Sequence, residues 1–416
     1  MVLEKMVWGV LIFIKIFYNS SKNVYLLIKM QFHKLHIFFI FSLIISGCNS
    51  KNSDHKWGAT IEPISYLPKF EEPTLSFIKE KQKESLDFYY EFMNPERFSG
   101  MFLVAKNGKI ITEKYSGFSN YPAEIAITKE TPLHVASVSK VATSLATLRL
   151  IDHKKLELNE DIRTYLPEFP YPGISIKMLL THRSGIPYYG YYTFKVWPLG
   201  KELHNDDVLR LLAKYKFPLN FPPDKHFAYC NTNFSMLALI IERVTKKSFP
   251  DAMQELVFEP LEMKNSFILK YNQNNTKISQ SYNSRLVNQG FDYMDRVYGD
   301  KNLYSTARDL LKMDMGTYSK NFLSDSMRHL MFKGYSYENP GVGNYGFGIR
   351  IRELEGKDTY FFHTGWWHGN TSCYASLRSD TVTIIALSNV YNRSVYQIKR
   401  LAPNFGNYPF EFKDDE

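Results

Sequence analysis

Thr131-Pro132-Leu133-His134-Val135-Ala136-Ser137-Val138-Ser139-Lys140 is the stretch on which the reading of this chain turns. Its first half reads as extended or turning, and from Ser137 the apolar residues Val138, Val141, Leu145, Leu148 and Ile151 recur at helical spacing. Ser137 is therefore expected at a helix start, where unpaired N–H groups and the positive end of the helix dipole favour a developing negative charge. Lys140 follows one turn later on the same side, where a serine hydroxyl needs a proton acceptor. Alone, Ser137 would read as a helix-capping serine. Two other segments, Ser53 to Lys56 and Ser76 to Lys79, repeat the S-x-x-K spacing. One lies in a polar stretch and the other precedes the charged run Lys79-Glu80-Lys81, so neither has this setting.

Two later strings complete the pattern. Tyr229-Cys230-Asn231 falls in a polar turn ahead of a helical run from Met236 to Val244, so Tyr229 can reach into a cleft as a second acid or base. Its phenol would need a nearby cation such as Lys140 to act at neutral pH. Tyr337-Glu338-Asn339 shares the Y-x-N spacing, and with 29 tyrosines in the chain a packed ring is the ordinary reading of any one of them. His363-Thr364-Gly365 follows the extended run Asp358 to Phe362 and is expected on a strand. Gly365 lets a substrate approach the backbone, Thr364 and the backbone beyond offer hydrogen bonds, and His363 can orient either.

In this order, the three strings resemble the serine β-lactamase and penicillin-binding superfamily. The branch they look most like holds class C β-lactamases, D-alanyl-D-alanine carboxypeptidases and related esterases. Flanking stretches share the resemblance, among them Phe98 to Val104, Leu156 to Asn159, Leu179 to Pro187, Glu259 to Met263 and Leu387-Ser388-Asn389. The resemblance covers roughly residues 75 to 395. It implies Ser137 as nucleophile, Lys140 as its proton-accepting partner and Tyr229 as general acid/base. Asn231, His363, Thr364 and Gly365 would bind or orient substrate, and the backbone N–H groups of Ser137 and Trp366 would form the oxyanion hole. Two features depart from the pattern. Class C β-lactamases carry Lys-Thr-Gly where this chain has His-Thr-Gly, a form found among carboxypeptidase-like and esterase-like members. A histidine with an ordinary pKa near ~6.5 attracts a carboxylate less than a lysine does at neutral pH. Aromatic residues also crowd around the motifs: Tyr188, Tyr189, Tyr191, Tyr192 and Phe194 on one side, Trp366 and Trp367 on the other. They read equally as walls of an apolar pocket and as ordinary packing.

The beginning of the chain concerns location. From Met30 a short basic region leads to an apolar core, Leu35 to Ile45, and then to Ser46-Gly47-Cys48. This is the layout of a secretory leader, and Ile45 to Cys48 looks like a bacterial lipobox. The resemblance implies cleavage before Cys48 and lipidation of that residue. An uncleaved anchor is the other reading, although the core is short for a span. Translation is expected to start at Met30. If residues 1–29 are made, Val7 to Tyr18 is an additional membrane segment. The expected partners are a membrane, through the lipid anchor, and a small-molecule or peptide substrate such as a peptidoglycan peptide. The expected location is the bacterial envelope, facing the periplasm or the exterior.

Net charge is +9, and it falls to +5 when the five lysines and one glutamate of residues 1–47 are removed. No basic stripe with interleaved aromatics occurs, so nucleic acid is not an expected partner. Of three cysteines, Cys48 is assigned to lipid; Cys230 and Cys373 read as two buried thiols, with a disulfide between them the alternative. No zinc-type Cys/His spacing, Gly-rich phosphate loop or internal repeat is present, and neither metal nor cofactor is expected.

The layout predicted from periodicity has a polar tether over 48–72, then a helix from Leu75 to Met93. A hairpin about Asn107-Gly108 follows, with helices at Asp206 to Tyr215 and Met236 to Val244. Late strands are expected at Tyr345 to Arg352, Thr359 to Phe362, Cys373 to Leu377 and Val382 to Leu387. The fold class is α/β (α+β), an antiparallel sheet built from both chain ends and flanked by helices. Residues 73–160 and 295–416 would form the α/β part, with 161–294 the inserted helical part. Three functions fit: an envelope serine hydrolase of DD-peptidase, β-lactamase or esterase type; a hydrolase of small esters or D-amino-acid amides; and a penicillin-binding sensor or scaffold that acylates and stalls.

Overall fold

An early hairpin and a late run of strands meet in one sheet. The computed structural model describes residues 66–93, 96–270, 278–338, 341 and 343–409. The expected leader, Cys48 and the tether up to residue 65 lie outside them. Helix α1 (Leu75–Phe92) starts at Thr74, whose side chain accepts from the Phe77 N–H. Strands β1 (Gly100–Lys106) and β2 (Lys109–Ser116) form the predicted hairpin. Asn107 and Gly108 turn it with φ of +53° and +76°, the pair of left-handed residues that suits the strand twist. Short strands β3 (Phe118–Asn120), β4 (Ile125–Ala126) and β5 (Leu133–His134) lead to a single 3-10 turn, Ala136–Val138, and helix α2 (Ser139–Asp152).

The middle of the chain is helical: α3 (Ile176–Leu180), α4 (Tyr189–Val196), α5 (Asn205–Tyr215), α6 (Asn231–Thr245) and α7 (Phe249–Met253). Strands β6 (Phe267–Ile268) and β7 (Leu303–Ser305) join β5 in a small antiparallel sheet. Helices α8 (Ala307–Gly316) and α9 (Asp325–Met331) precede the strands β8 (Gly343–Tyr345), β9 (Arg350–Arg352), β10 (Tyr360–Trp367), β11 (Asn370–Leu377) and β12 (Val382–Ser388). A 3-10 run over Arg393–Asn404 follows.

The main sheet has the order β2-β1-β12-β11-β10-β9-β8, antiparallel throughout. β1 pairs β12 in unbroken register from Gly100↔Ser388 to Lys106↔Val382, which ties the two halves of the chain together. Alternation sends Phe102, Val104, Ile384 and Ala386 to the face covered by α1 and the last 3-10 run. Met101, Leu103, Ile385 and Leu387 go to the opposite face, with α2. Helix α2 is buried almost all round, its polar residues Lys140, Thr143, Ser144, Thr147 and Arg149 included. Cutting Leu145, fully buried on α2, to alanine is expected to cost about 2–5 kcal/mol.

The structure differs from the predicted layout in several places away from Ser137. The strand expected over Tyr345 to Arg352 is two strands, because Gly346 and Gly348 turn the chain between them, Gly348 with φ +71°. Helix α6 starts at Asn231, five residues before the apolar run that predicted it. The end of the expected tether does not stand off: Tyr66, Leu67 and Phe70 pack on the core, Tyr66 edge-on to Phe322 and Phe70 edge-on to Tyr318. Among the described residues no helix is long and apolar enough to cross a membrane.

Candidate active site

Ser137 lies in the 3-10 turn just ahead of α2, so the α-helix proper starts two residues later than the sequence suggests. The residue before it, Ala136, has φ +47°, a left-handed conformation that costs an alanine on the order of 1 kcal/mol. Both of its backbone groups are held: the Ala136 N–H donates to His134 Nδ1 at 3.1 Å, and Ser139 Oγ donates to the Ala136 carbonyl at 2.6 Å. His134 Nε2 in turn lies 3.2 Å from Asn302 Oδ1, and since Nδ1 accepts, Nε2 carries the proton. Burial pushes the imidazole pKa of His134 down to about 4.

Lys140, fully buried on α2, donates from Nζ to Ser137 Oγ at 3.2 Å and to the Asp300 carbonyl at 2.8 Å. Among the described residues no carboxylate pairs with it. Its Nζ stands 5.0 Å from the Tyr229 ring centroid, and the Arg350 guanidinium stands 5.1 Å from the same ring. The expected neighbourhood of Tyr229 and a cation is therefore present, with a second cation that the motifs did not reveal.

Tyr229 is presented by a turn that the segment Thr181 to Tyr189 wraps. The Ala228 N–H donates to the His182 carbonyl at 2.9 Å, and the Cys230 N–H to His182 Nδ1 at 3.1 Å. Asn231 opens α6, and its Oδ1, out of solvent contact, has no hydrogen-bond partner. Cys230 and Cys373 are both free and buried. Burial pushes the Cys373 thiol up to about 12 and that of Cys230 upward, so both are protonated at neutral pH.

The third motif lies on β10. Its first three residues pair with β9, whereas His363 to Trp367 pair with β11 alone, so this half of the strand has an open edge. A Cβ on Gly365 would stand 2.6 Å from the Val135 carbonyl oxygen and 2.9 Å from Ser137 N, so glycine is what lets the strand touch the Ser137 turn. Thr364, Gly365 and Trp366 line the cleft with Ser137, Tyr229 and Asn231.

His363 is placed differently from the expectation that it binds substrate. It is fully buried, with Tyr345 Oη 3.1 Å from Nε2 and the Thr364 carbonyl 2.7 Å from Nδ1. The carbonyl can only accept, so Nδ1 carries the proton and the Tyr345 hydroxyl donates to Nε2. Burial, then the Arg350 and Lys140 charges, hold this imidazole well below the usual histidine range. It supports the cleft floor as a neutral ring.

The aromatic crowding divides between both readings. Tyr189 and Tyr192 are buried packing, while Tyr188, Tyr191, Trp366 and Trp367 line a cavity of about 640 Å³ that Tyr229 and Asn231 also line. A second cavity, of about 500 Å³, holds Ser137, Thr364, Arg350 and Arg352. The motifs did not disclose Arg350, Asp300 or the role of His182. The period-two spacing of Arg350 and Arg352 on one strand face was the available signal for the first. Asp300 and Lys301 form a buried pair, 3.4 Å apart, and Tyr189 Oη donates to Asp300 Oδ2 at 2.9 Å.

A serine and lysine in hydrogen-bond contact, a tyrosine beside that lysine and a glycine-edged strand across the cleft are the parts of a serine hydrolase. The β-lactamase family profile matches residues 88–401, and the chain belongs to this family of serine hydrolases, whose members act on amides, esters and peptides. It is 25% identical over 349 residues to penicillin-binding protein 4* of Bacillus subtilis (strain 168), covering 77% of this chain and 74% of that one. A D-aminopeptidase of Brucella ovis is 24% identical over 264 residues, covering 62% of this chain and 50% of that one. The crystal structure of a penicillin-binding protein from Bacillus halodurans superposes with a TM-score of 0.65 at 23% identity, over 78% of this chain and 97% of that one.

Proposed function

We propose that the protein forms an acyl-enzyme on Ser137 from an amide, β-lactam or ester, in the manner of a D-alanyl-D-alanine carboxypeptidase. The observation that carries this is the contact of a fully buried Lys140 with Ser137 Oγ, 3.2 Å away. Lys140 receives the hydroxyl proton as Ser137 Oγ bonds to the carbonyl carbon. The oxyanion is held by the backbone N–H groups of Ser137 and Trp366. Tyr229 relays that proton from Lys140 to the leaving nitrogen or oxygen as its bond to carbon breaks. Water then attacks the acyl carbon, the bond to Oγ breaks, and a proton from that water passes to Ser137 Oγ. Asn231 orients the substrate amide, and the open edge of β10 pairs with the substrate backbone. With His363 beneath the floor, Arg350 and Thr364 are the groups placed to meet a substrate carboxylate.

A second reading, hydrolysis of small esters or D-amino-acid amides, is favoured by the aromatic walls of the larger cavity. The intact mass of the body from residue 49, before and after a penicillin and a small activated ester, separates the readings. A lasting penicillin adduct that Ser137→Ala lacks supports the carboxypeptidase-like site, whereas ester turnover with penicillin recovered intact supports the second. Adducts of equal yield in Ser137→Ala would end both. A stalled sensor would show the adduct and no turnover of any substrate.

The envelope placement rests on residues 30–48 of the sequence, and we propose cleavage before Cys48 with lipid attached to that residue. Loss of lipid label and of membrane association in Cys48→Ser tests it, and unchanged labelling refutes it.

A further inference from the structure

The two cavities meet at Tyr229, Asn231 and Trp366, and they differ in charge. The one beside Ser137 carries Arg350 and Arg352. Among the described residues that line the other, Asp292 is the sole carboxylate and there is no lysine or arginine. Asp292 Oδ1 accepts from the Met294 N–H at 2.7 Å, and no cation among the described residues forms an ion pair with it. Two cationic neighbours act on it, Lys301 and His368, but each has its own carboxylate partner, Asp300 and Asp295. His368 Nε2 lies 3.0 Å from Asp295 Oδ2, and Trp367 Nε1 donates to Asp295 Oδ1 at 2.5 Å, so Asp295 and His368 answer each other. The exposed rings of Tyr191 and Trp366 line the same cavity as Asp292, and aromatic faces attract a cation. At the junction, Asn231 Oδ1 is a buried acceptor with no donor, which calls for an N–H group on the ligand where the acyl half enters this cavity.

We infer that this second cavity receives the acyl half of the substrate and selects one bearing a primary ammonium group, held by Asp292 and the faces of Tyr191 and Trp366. The preferred substrates are then zwitterionic across the scissile bond: the ammonium on the Asp292 side, the carbonyl at Ser137, and the carboxylate, where the leaving group has one, on the Arg350 side. This rests on Ser137 being the acylated residue.

The test compares p-nitrophenyl esters of ω-amino acids with esters in which a methyl replaces the ammonium, 6-aminohexanoate against heptanoate and 8-aminooctanoate against nonanoate. The quantity read is the ratio of kcat/KM within each pair, which does not depend on the fraction of folded enzyme. At low salt the better pair should favour the ammonium ester about tenfold, a difference of about 1.4 kcal/mol. Asp292→Asn should bring the ratio to near unity and Asp292→Lys below it. A ratio near unity for both lengths in the native protein, or one unmoved in Asp292→Asn, overturns the inference. Ser137→Ala reports on the acyl-enzyme reading separately, because persistent turnover there sinks that reading whatever the ratio shows. Calorimetric binding of 6-aminohexanamide against heptanamide to Ser137→Ala makes the same comparison without turnover.

Discussion

The imidazole of His182 lies against the phenol of Tyr229, with ring centroids 4.3 Å apart. The histidine is fully buried, in a left-handed conformation of φ +56°. Its Nδ1 receives the Cys230 N–H and lies 3.0 Å from Asn233 Nδ2, and its carbonyl receives the Ala228 N–H. One residue therefore grips the Tyr229 turn on both sides, and burial with the Lys140 charge keeps it neutral. His182→Ala is expected to lower kcat on an activated ester about tenfold to a hundredfold through misplacement of Tyr229, with KM changed less. His182→Asn, which retains a side-chain acceptor, should recover part of the loss. Equal loss in both variants, with kcat and KM moving together, would assign His182 to general stability.

The contact of β10 with the Ser137 turn makes a second prediction. A methyl at residue 365 would also stand 2.4 Å from Ser372 Oγ, the group that donates to the Val135 carbonyl at 2.6 Å. Gly365→Ala must push the strand from the turn and open the distance between the Ser137 and Trp366 N–H groups. Activity is expected to fall about a hundredfold or more, as when an oxyanion donor is lost. Unfolding free energy should fall by only about 1–3 kcal/mol. Steady-state kinetics and urea denaturation of the same preparation check both. A variant as active as the native protein would remove Trp366 from the oxyanion hole.

Much of this site was legible because its parts are local. The Ser137 to Lys140 spacing, the Tyr229 turn and Gly365 each carry their meaning within a few residues, and the structure brings them to one cleft. The hairpin about Asn107-Gly108 was legible for the same reason. What was not legible depends on which way a side chain faces after the sheet forms. His363 is one of a pair with Tyr345, a residue on a strand that the periodicity joined wrongly to the next. The left-handed Ala136 has no sequence mark, because it is held by His134 and Ser139 rather than by a glycine. Arg350 gained meaning only once it stood beside Tyr229.

Arg350 carries the third prediction. Its Nε is buried without a hydrogen-bond partner, and its guanidinium stands in the same cavity as Ser137 and Thr364. A substrate ending in a carboxylate should lose about tenfold to a hundredfold in kcat/KM in Arg350→Ala, whereas its carboxamide analogue should lose much less. Arg350→Lys should restore only part of the difference, since lysine offers a point charge in place of a planar fork. Equal losses on acid and amide would mean that Arg350 acts on Tyr229 and not on the substrate carboxylate.

The support of the strained Ala136 yields a prediction about pH. His134 Nδ1 must stay unprotonated to accept the Ala136 N–H, and burial pushes its pKa from 6.5 to about 4 in the folded protein. Below the unfolded value the unfolded chain binds a proton that the native one refuses, so this group's contribution to stability is present above about pH 6.5. It is lost as pH falls toward the folded value. Buried carboxylates such as Asp314, raised by desolvation, act in the opposite direction, so the total pH profile does not isolate the effect. The difference between the native protein and His134→Gln does. The native protein's advantage should grow as pH rises from about 4 to about 6.5, by on the order of 3 kcal/mol at most, and level off above. Denaturant titrations of both proteins across that range measure it, and a difference independent of pH would show that His134 already ionises freely in the native state.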